Sequence, residues 1–579
     1  MVSLDNLTFA ERALVPRLET GMQSRSVRII NRQRLAVLVL LVAFPATAAA
    51  EDFRKSLHMV SMRDGTQLAT DVYVPAGDGA YPVIFARGPY GRSGPGRAMA
   101  SLACGRGYAF VSQDMRGRFD SQGSDAVVFH NDGWSKRRDG HDSLAWIAAQ
   151  HWCNGKIATY GGSALGITQT MMAPDAPETL KAQFVLVAAS SLYHQVAYQG
   201  GAWRKALIET WLKSNAFDPA TLESYLAHPI YDEFWQRVDA AAQAERVNAP
   251  GIYWGGWYDI FLQGTLDSFT SIHNNGGPAA RGRCGLIIGP YAHGGFSELV
   301  YPANSRESLP AGKALRFFDH VLKGEQNGIA SEPAVHYYVM GDPTDPDAPG
   351  NYWRAADNWP PPSRSTSYYL HADGNLVPQT APQGVEQLTY KYDPSHPVLT
   401  VGGQNLVLPK GPADQRKVES RPDVLVFSSE ELEEPIEVTG RISAKLYVSS
   451  NCPDTDFTVK LSDVYPDGRS MLVTDGILRA RFRESFRTEQ FMEPGKVYEL
   501  NVDLWSTSLV FNKGHRIRVA VSSSNSPRFE PNPNTGRPFR ADKQTRIATN
   551  TIHVSSEHPS HIRLPIYVEA PATAAAGTE

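Results

Sequence analysis

The 579-residue sequence predicts an α/β domain, its mainly parallel sheet covered on both faces and interrupted by a helical cap, followed by an all-β sandwich. Three observations carry this reading. Short apolar runs without alternation, "PVIFA" (82–86), "YAFVS" (108–112), "KIATY" (156–160), "GIYW" (251–254) and "GLIIG" (285–289), read as strands buried on both faces. Helix-like segments, notably "GHDSLAWIAAQ" (140–150), fall among them as crossovers. After a Pro/Asp/Gly-rich link, "DPTDPDAPG" (342–350), strand-like runs such as "ISAKLYVSS" and "HRIRVAVSSS" recur with turns between them and little helix.

In chain order, residues 1–50 come first. Arg25, Arg28, Arg32 and Arg34 precede the apolar run "LAVLVLLVAF", which is followed by the small residues of "PATAAAED". This is the pattern of a secretory signal peptide, so the expectation is export to the periplasm or the medium. Met22 is an alternative start. The apolar run is short for a bilayer span and no comparable segment follows it, so no membrane anchor is expected.

Residues 51–190 form the first part of the α/β domain. Its entry, "FRKSLHMVSMRDGTQLATDVYVP" (53–75), alternates apolar and polar residues about Asp64-Gly65, a hairpin signal. Residues 191–245 are read as the cap. Trp203, Leu207, Ile208, Trp211 and Leu212 are spaced for one helix face, and Asp218-Pro219 offers an N-cap followed by a proline at the first helical position. Residues 246–345 complete the α/β domain, and 346–575 form the sandwich.

With 42% hydrophobic and 20% charged residues the chain is globular in composition. Removing residues 1–50 takes away six basic and three acidic side chains and leaves 50 Lys and Arg against 57 Asp and Glu. An acidic balance without a basic stripe argues against nucleic acid as a partner. Cys104, Cys153, Cys284 and Cys452 match no zinc spacing and stand either as buried thiols or as up to two disulfides in three pairings. Oligomeric state, a homodimer included, is not encoded legibly.

In a parallel sheet, functional groups gather at the carboxyl ends of the strands. Past "PVIFA" come Gly88-Pro89-Tyr90; past "KIATY", Gly161-Gly162-Ser163; past "GIYW", Trp257-Tyr258-Asp259; past "GLIIG", Pro290-Tyr291-Ala292-His293. The order Ser163, Asp259, His293 is the chain order of the α/β-hydrolase triad, with the serine at a strand-to-helix turn. A serine hydroxyl attacks poorly until an imidazole takes its proton, and a carboxylate must hold that imidazole in the right tautomer. His194, His228, His273 and His320 lack such placement, and Cys153 precedes its strand instead of following it.

Six segments make the sequence resemble the serine hydrolases of the cocaine-esterase and X-prolyl dipeptidyl-peptidase-like family, which also holds α-amino-acid ester hydrolases and glutaryl-cephalosporin acylases. They are "RGPYGR" (87–92), "VSQDMRGRFDSQG" (111–123), "DGHDSLAWIAAQHWCNGKIATYGGSALG" (139–166), "GGWYD" (255–259), "IGPYAHG" (288–294) and "LNVDLWSTSLVFNKGHRIRVAVSSS" (500–524). The resemblance implies an α/β-hydrolase domain with a cap and a jelly-roll-like sandwich. It implies Ser163 as nucleophile, His293 as general base and acid, Asp259 as its partner, and an oxyanion hole from the Tyr90 hydroxyl and the Ala164 N–H. No cofactor and no metal are called for, and the partner is a small-molecule ester or amide.

Two departures from the family pattern stand out. Ala164 replaces the tyrosine usual after the nucleophile, and only 96 positions separate Ser163 from Asp259, short beside the family's cap insertions. Relatives that prefer a free α-amino group hold it with carboxylates, in some cases two and three residues past the triad aspartate; here those positions are Phe261 and Leu262. A cap carboxylate, Glu209 or Glu223, would be the substitute. Ester hydrolysis is the first reading. Amide or peptide hydrolysis, of dipeptidyl-peptidase, amino-ester hydrolase or acylase type, is the second. A carbohydrate-binding or adhesive module behind an inactive front domain is the third. Asp114, Arg116 and Arg118 are expected to brace loops through ion pairs, and Asp467-Gly468 to make a turn. Trp203, Trp211, Tyr225, Phe234 and Trp235 either line an acyl pocket or pack as core.

Overall fold

The chain enters its first sheet through an antiparallel hairpin, β1 (Phe53–Ser61) and β2 (Gln67–Pro75). The computed structural model describes residues 53–294, 298–307, 310–380, 386–541 and 543–569, so the segment read as a signal peptide lies outside the described residues. The turn falls at Asp64-Gly65 as the sequence predicts, inside a longer loop, 62–66, closed by a 2.8 Å bond from Met62 N–H to the Thr66 carbonyl. Gly65 takes φ +81°, a conformation a side chain would resist.

The α/β pattern follows as β3 (Tyr81–Gly88), α1 (Ser93–Cys104), β4 (Ala109–Asp114), α2 (Asp139–Ala148), β5 (Cys153–Gly162), α3 (Ala164–Met172) and β6 (Leu180–Leu186). Between β6 and the next strand of the sheet lie a two-residue-strand hairpin, β7 (Tyr198–Gln199) with β8 (Ala202–Trp203), and three helices, α4 (Lys205–Ser214), α5 (Pro219–Leu226) and α6 (Glu233–Gln236). The sheet then resumes with β9 (Gly251–Tyr258), α7 (Leu262–Asn275), β10 (Gly285–Ala292), α8 (Pro310–Phe318), β11 (Val335–Val339) and β12 (Tyr352–Ala356). The strand order is β1-β2-β4-β3-β5-β6-β9-β10-β11-β12. From β4 through β11 every pairing is parallel, and antiparallel strands close both edges.

Alternate residues of these strands enter two different cores, which is why the runs look uniformly apolar in sequence. Ile84, Phe110 and Ala158 pack with Ala100 and Ala103 of α1 and with Phe318 of α8. Their neighbours Val83, Phe85, Val111 and Ile157 pack with Leu144 and Ile147 of α2 on the other face.

Two expectations need correction. Trp203 is not on a helix with its apolar neighbours: it ends β8, Arg204 has non-helical backbone, and α4 begins at Lys205. Leu207, Ile208 and Leu212 do form the buried face of α4. The Pro/Asp/Gly-rich stretch at 342–350 is likewise not the passage into the sandwich that a boundary at 346 implied. It is the loop of a hairpin, pinned by Asn351 to the Asp342 carbonyl (2.9 Å), and β12 beyond it pairs with β11 in the first sheet. At α5 the cap is as read: Asp218 accepts from Ala220 N–H (2.9 Å) with Pro219 first in the helix.

The C-terminal region is a sandwich of a seven-stranded and a four-stranded sheet, all of whose ladders are antiparallel. It packs directly on the first sheet and on the β7–β8 hairpin. Tyr258 at the end of β9 donates to the Leu472 carbonyl (3.0 Å), and Met340 exchanges backbone bonds with Ser508 and Val510. At Gly200, the tip of the β7–β8 hairpin, an added Cβ would lie 1.8 Å from the Ile477 carbonyl oxygen, so only glycine permits this approach. All four cysteines are buried free thiols, and burial pushes those of Cys104 and Cys284 up to about 12.

Candidate active site

Ser163 is the single residue between β5 and α3. Its backbone lies at φ 57°, ψ −124°, a strained conformation for a non-glycine residue that turns the hydroxyl out of the chain's path. Neighbouring glycines make the turn sterically possible. A Cβ on Gly161 would meet Leu165 Cβ at 2.5 Å, and one on Gly166 would meet Ala188 Cβ at 2.7 Å. Ser163 N–H is held by the Leu186 carbonyl (3.0 Å), while its own carbonyl accepts from Gly166 and Ile167 N–H (2.8 Å each).

His293 follows directly on β10 and Asp259 directly on β9, so the parallel register of these strands delivers both to the edge where Ser163 stands. His293 Nε2 is 3.1 Å from Ser163 Oγ, and Nδ1 is 2.7 Å from Asp259 Oδ2. Asp259 is fully buried and its other oxygen accepts from Phe261 N–H (2.7 Å), which fixes the carboxylate plane. The Phe261 ring meets the imidazole edge-on at 5.8 Å. An imidazole donating to a buried carboxylate presents its other nitrogen as an acceptor for the serine proton.

Tyr90, two residues beyond β3, reaches the same edge. Its hydroxyl accepts from Trp211 Nε1 on α4 at 2.9 Å and also interacts with Ser163. Burial pushes the phenol's pKa up, only partly offset by these hydrogen bonds, so it remains a proton donor. Trp211 is itself fixed by stacking on Phe129 (5.9 Å) and by Phe217 (4.6 Å). Ala164 opens α3, where first-turn N–H groups have no intrahelical acceptor, and is buried. A serine, a base with its carboxylate, and two donors thus converge, which is the equipment for attack on a carbonyl carbon.

Two cations flank Asp259 that sequence reasoning did not single out. Lys410, from a loop of the C-terminal region, donates to the His293 carbonyl (2.8 Å) and the Leu406 carbonyl (3.1 Å). Arg204, between β8 and α4, donates to the Ile260 carbonyl (3.1 Å) and to that of Gln195. Lys410 is a lone charge in the apolar stretch "LVLPKG", which was the available signal, whereas Arg204 stands beside Lys205 in "GAWRKAL" and carries no such mark. The braces expected of "QDMRGR" are present: Asp114 with Arg92 (2.6 Å), Arg116 with Asp139 (2.7 Å) and Asp64 (2.9 Å), Arg118 with Asp125 (2.9 Å). Asp467-Gly468 lies in a turn closed by Gly468 N–H to the Tyr465 carbonyl (2.8 Å). Tyr225 and Trp235 are core, Trp203 is fully buried, Phe234 packs on His130 (4.0 Å), and of the five only Trp211 touches the site.

Comparison with known proteins identifies the lineage. The X-Pro dipeptidyl-peptidase (S15 family) domain matches residues 64–222 and 205–295, and the X-Pro dipeptidyl-peptidase C-terminal non-catalytic domain matches 327–563. Cocaine esterase of Rhodococcus sp. is 36% identical over 88% of this chain and 97% of its own. The chain belongs to the cocaine-esterase and X-prolyl dipeptidyl-peptidase-like serine hydrolases. It is a serine ester hydrolase with an α/β domain and an all-β C-terminal domain. A putative serine esterase of Mycobacterium bovis is 27% identical over 89% of this chain and 95% of its own. Among solved structures, an α-amino acid ester hydrolase superposes with TM-score 0.75 at 26% identity, covering 91% of this chain and 98% of that one. An aminopeptidase from a Thaumarchaeota archaeon has the same fold (TM-score 0.77, 24% identity, 92% and 99% covered).

Against this cocaine-esterase-like family the departures acquire a location. Ala164 leaves the start of α3 without a ring at the serine, while Trp211 of the cap hydrogen-bonds Tyr90 beyond β3. Of the two cap carboxylates, Glu209 is held by Arg540, Lys205 (3.2 Å) and Trp203 Nε1 (3.1 Å), and Glu223 is exposed. Among the described residues no group of His, Cys, Asp and Glu is arranged to hold a metal, and no helix is long and apolar enough to cross a membrane.

Proposed function

We propose that this protein hydrolyses carboxylic esters through an acyl-enzyme on Ser163. His293 takes the serine proton as Oγ attacks the ester carbonyl, and the oxyanion is received by the Tyr90 hydroxyl and the Ala164 N–H. His293 then protonates the leaving alcohol. Water, deprotonated by the same imidazole, attacks the acyl-enzyme and releases the acid. Asp259 holds the tautomer and the charge of His293 throughout. The carrying observation is the continuous relay from Asp259 Oδ2 through His293 to Ser163 Oγ, at 2.7 and 3.1 Å, on a serine in strained backbone.

Ester preference over α-amino substrates is supported by Phe261 and Leu262, apolar where an ammonium needs carboxylates, and by the engaged state of Glu209. Export is supported by the Arg-flanked apolar run before residue 51. The test is the hydrolysis by mature protein of aryl esters, α-aminoacyl esters and Xaa-Pro amides, with Ser163→Ala as control. Aryl esters should lead in kcat/KM. A lead by Xaa-Pro amides or α-aminoacyl esters would replace this reading with the peptidase or amino-ester one.

A further inference from the structure

One guanidinium joins the chain segments that carry Tyr90 and Trp211. Arg118 is buried, and its Nε–H donates to the Pro89 carbonyl at 3.2 Å, so it holds the planar peptide unit that leads into Tyr90. Its Nη2 donates to the carbonyl of Asn215 (2.6 Å), the residue that caps α4, and its Nη1 to that of Ala216 (3.0 Å). A helix end leaves carbonyls without intrahelical donors, and a cation there answers both their hydrogen-bonding need and their partial negative charge. Nη1 also pairs with Asp125 (2.9 Å), whose carboxylate accepts from Asp218 N–H (3.2 Å) at the start of α5.

Trp211 lies one turn back along α4. Its carbonyl accepts from the Asn215 side chain (2.8 Å), and its indole packs on Phe217 (4.6 Å), whose ring in turn lies 4.2 Å from the Arg118 guanidinium. Past Tyr90, the ring of Phe119 is set against Gly91, where a Cβ would lie 3.3 Å from it, and Phe119 takes left-handed backbone at φ 50° to place it there. Arg118 and Phe119 thus hold the backbone before and after Tyr90. The Trp211–Tyr90 hydrogen bond spans 121 positions of sequence, and it keeps its geometry when both backbones are fixed to a common point. Arg118 is such a point, with a planar fork of donors that a lysine lacks. Its charge also favours a more acidic Tyr90 phenol, against the upward push of burial, and so a stronger hydrogen-bond donor.

We propose that Arg118 is a positioning residue for the reaction: by tying Pro89 to the end of α4 it holds Tyr90 and Trp211 in register, so that the phenol keeps its proton aimed at the oxyanion. Arg118 acts through Tyr90 and not on substrate. The inference rests on the reading of Tyr90 as an oxyanion donor.

The test is a double-mutant cycle in kcat and KM on an aryl ester with mature protein, combining Arg118→Met with Tyr90→Phe. Arg118→Met should lower kcat about 10-fold, within what a small displacement of a catalytic group costs, and leave KM within about 2-fold. In the Tyr90→Phe background the same change should cost less than about 2-fold, because the group it positions is gone. Arg118→Lys, which keeps the charge but not the planar fork, should lose about 2–5-fold and takes the place of Arg118→Met in the cycle if that variant does not fold. A kcat loss of the same size in both backgrounds, a loss confined to KM, or no loss at all overturns the inference and leaves Arg118 a brace of the cap. These results leave the ester-hydrolase reading untouched, whereas a Tyr90→Phe protein with full kcat overturns the oxyanion role of Tyr90 and the inference with it.

Discussion

Trp211 donates its indole N–H to the Tyr90 hydroxyl at 2.9 Å, so a residue of the cap sets the direction in which that phenol offers its own proton. A phenol has one proton, and filling an acceptor lone pair from one side leaves that proton to point toward the serine. The cap therefore does more than cover the site: α4 orients a group in it.

Tyr90→Phe should lower kcat by about 10²–10³-fold with little change in KM, the usual cost of one oxyanion donor. Stopped-flow or steady-state kinetics on an aryl ester checks this. Trp211→Phe keeps the aromatic stack on Phe129 and Phe217 and should cost only ~2–10-fold, the worth of one neutral hydrogen bond. In a Tyr90→Phe background the Trp211 change should cost nothing further, because the group it orients is gone.

Asp259→Asn should fold and bind substrate but lose about 10⁴-fold in kcat, since the amide oxygen stays with Phe261 N–H and the amide NH2 then donates to Nδ1, which leaves His293 in the wrong tautomer. The measurement is kcat in the variant alongside its thermal midpoint, which should move little.

Lys410→Met should reduce kcat by roughly 10-fold, about the loss of one charge-assisted hydrogen bond, by freeing the His293 carbonyl. KM should change less than kcat. An unchanged kcat would mean that the Lys410 bond does not help to hold His293 in place.

Asp267 on α7 gives a pH signature. It faces a recess of about 360 Å3 with Asp239 and Arg441, accepts from Gln195 and Gln263, and burial raises its pKa to about 6. Unfolded, it titrates near the ordinary carboxylate value, so between roughly pH 4 and 6 the native state binds the proton that the unfolded state has lost. Its contribution to stability is present below pH 4 and is lost as pH rises through 6. Asp267→Asn should remove this decline and raise stability at pH 7 by on the order of 1–3 kcal/mol, read from urea unfolding at pH 4, 5, 6 and 7.

The sequence was most informative where one residue type has one physical explanation. The buried strands were legible because burial on both faces demands unbroken apolar runs, and the meeting of Ser163, Asp259 and His293 because each directly follows such a strand. The link at 342–350 misled because a Pro/Asp/Gly cluster makes a hairpin loop as readily as a domain linker, and only pairing of β11 with β12 distinguishes them. Trp203 misled because helical spacing is satisfied by chance when a hairpin abuts a helix. Lys410 and Arg204 were hidden by distance: Lys410 lies 117 positions from His293 and Arg204 lies 56 from Ile260, and no local pattern records such contacts.

Covalent labelling distinguishes a nucleophilic Ser163 from an inert one. Mature protein treated with a fluorophosphonate and digested should carry the adduct on the peptide containing Ser163, and the Ser163→Ala protein should carry none. A folded wild-type protein that stays unlabelled, or an adduct on any other residue, would exclude Ser163 as the nucleophile.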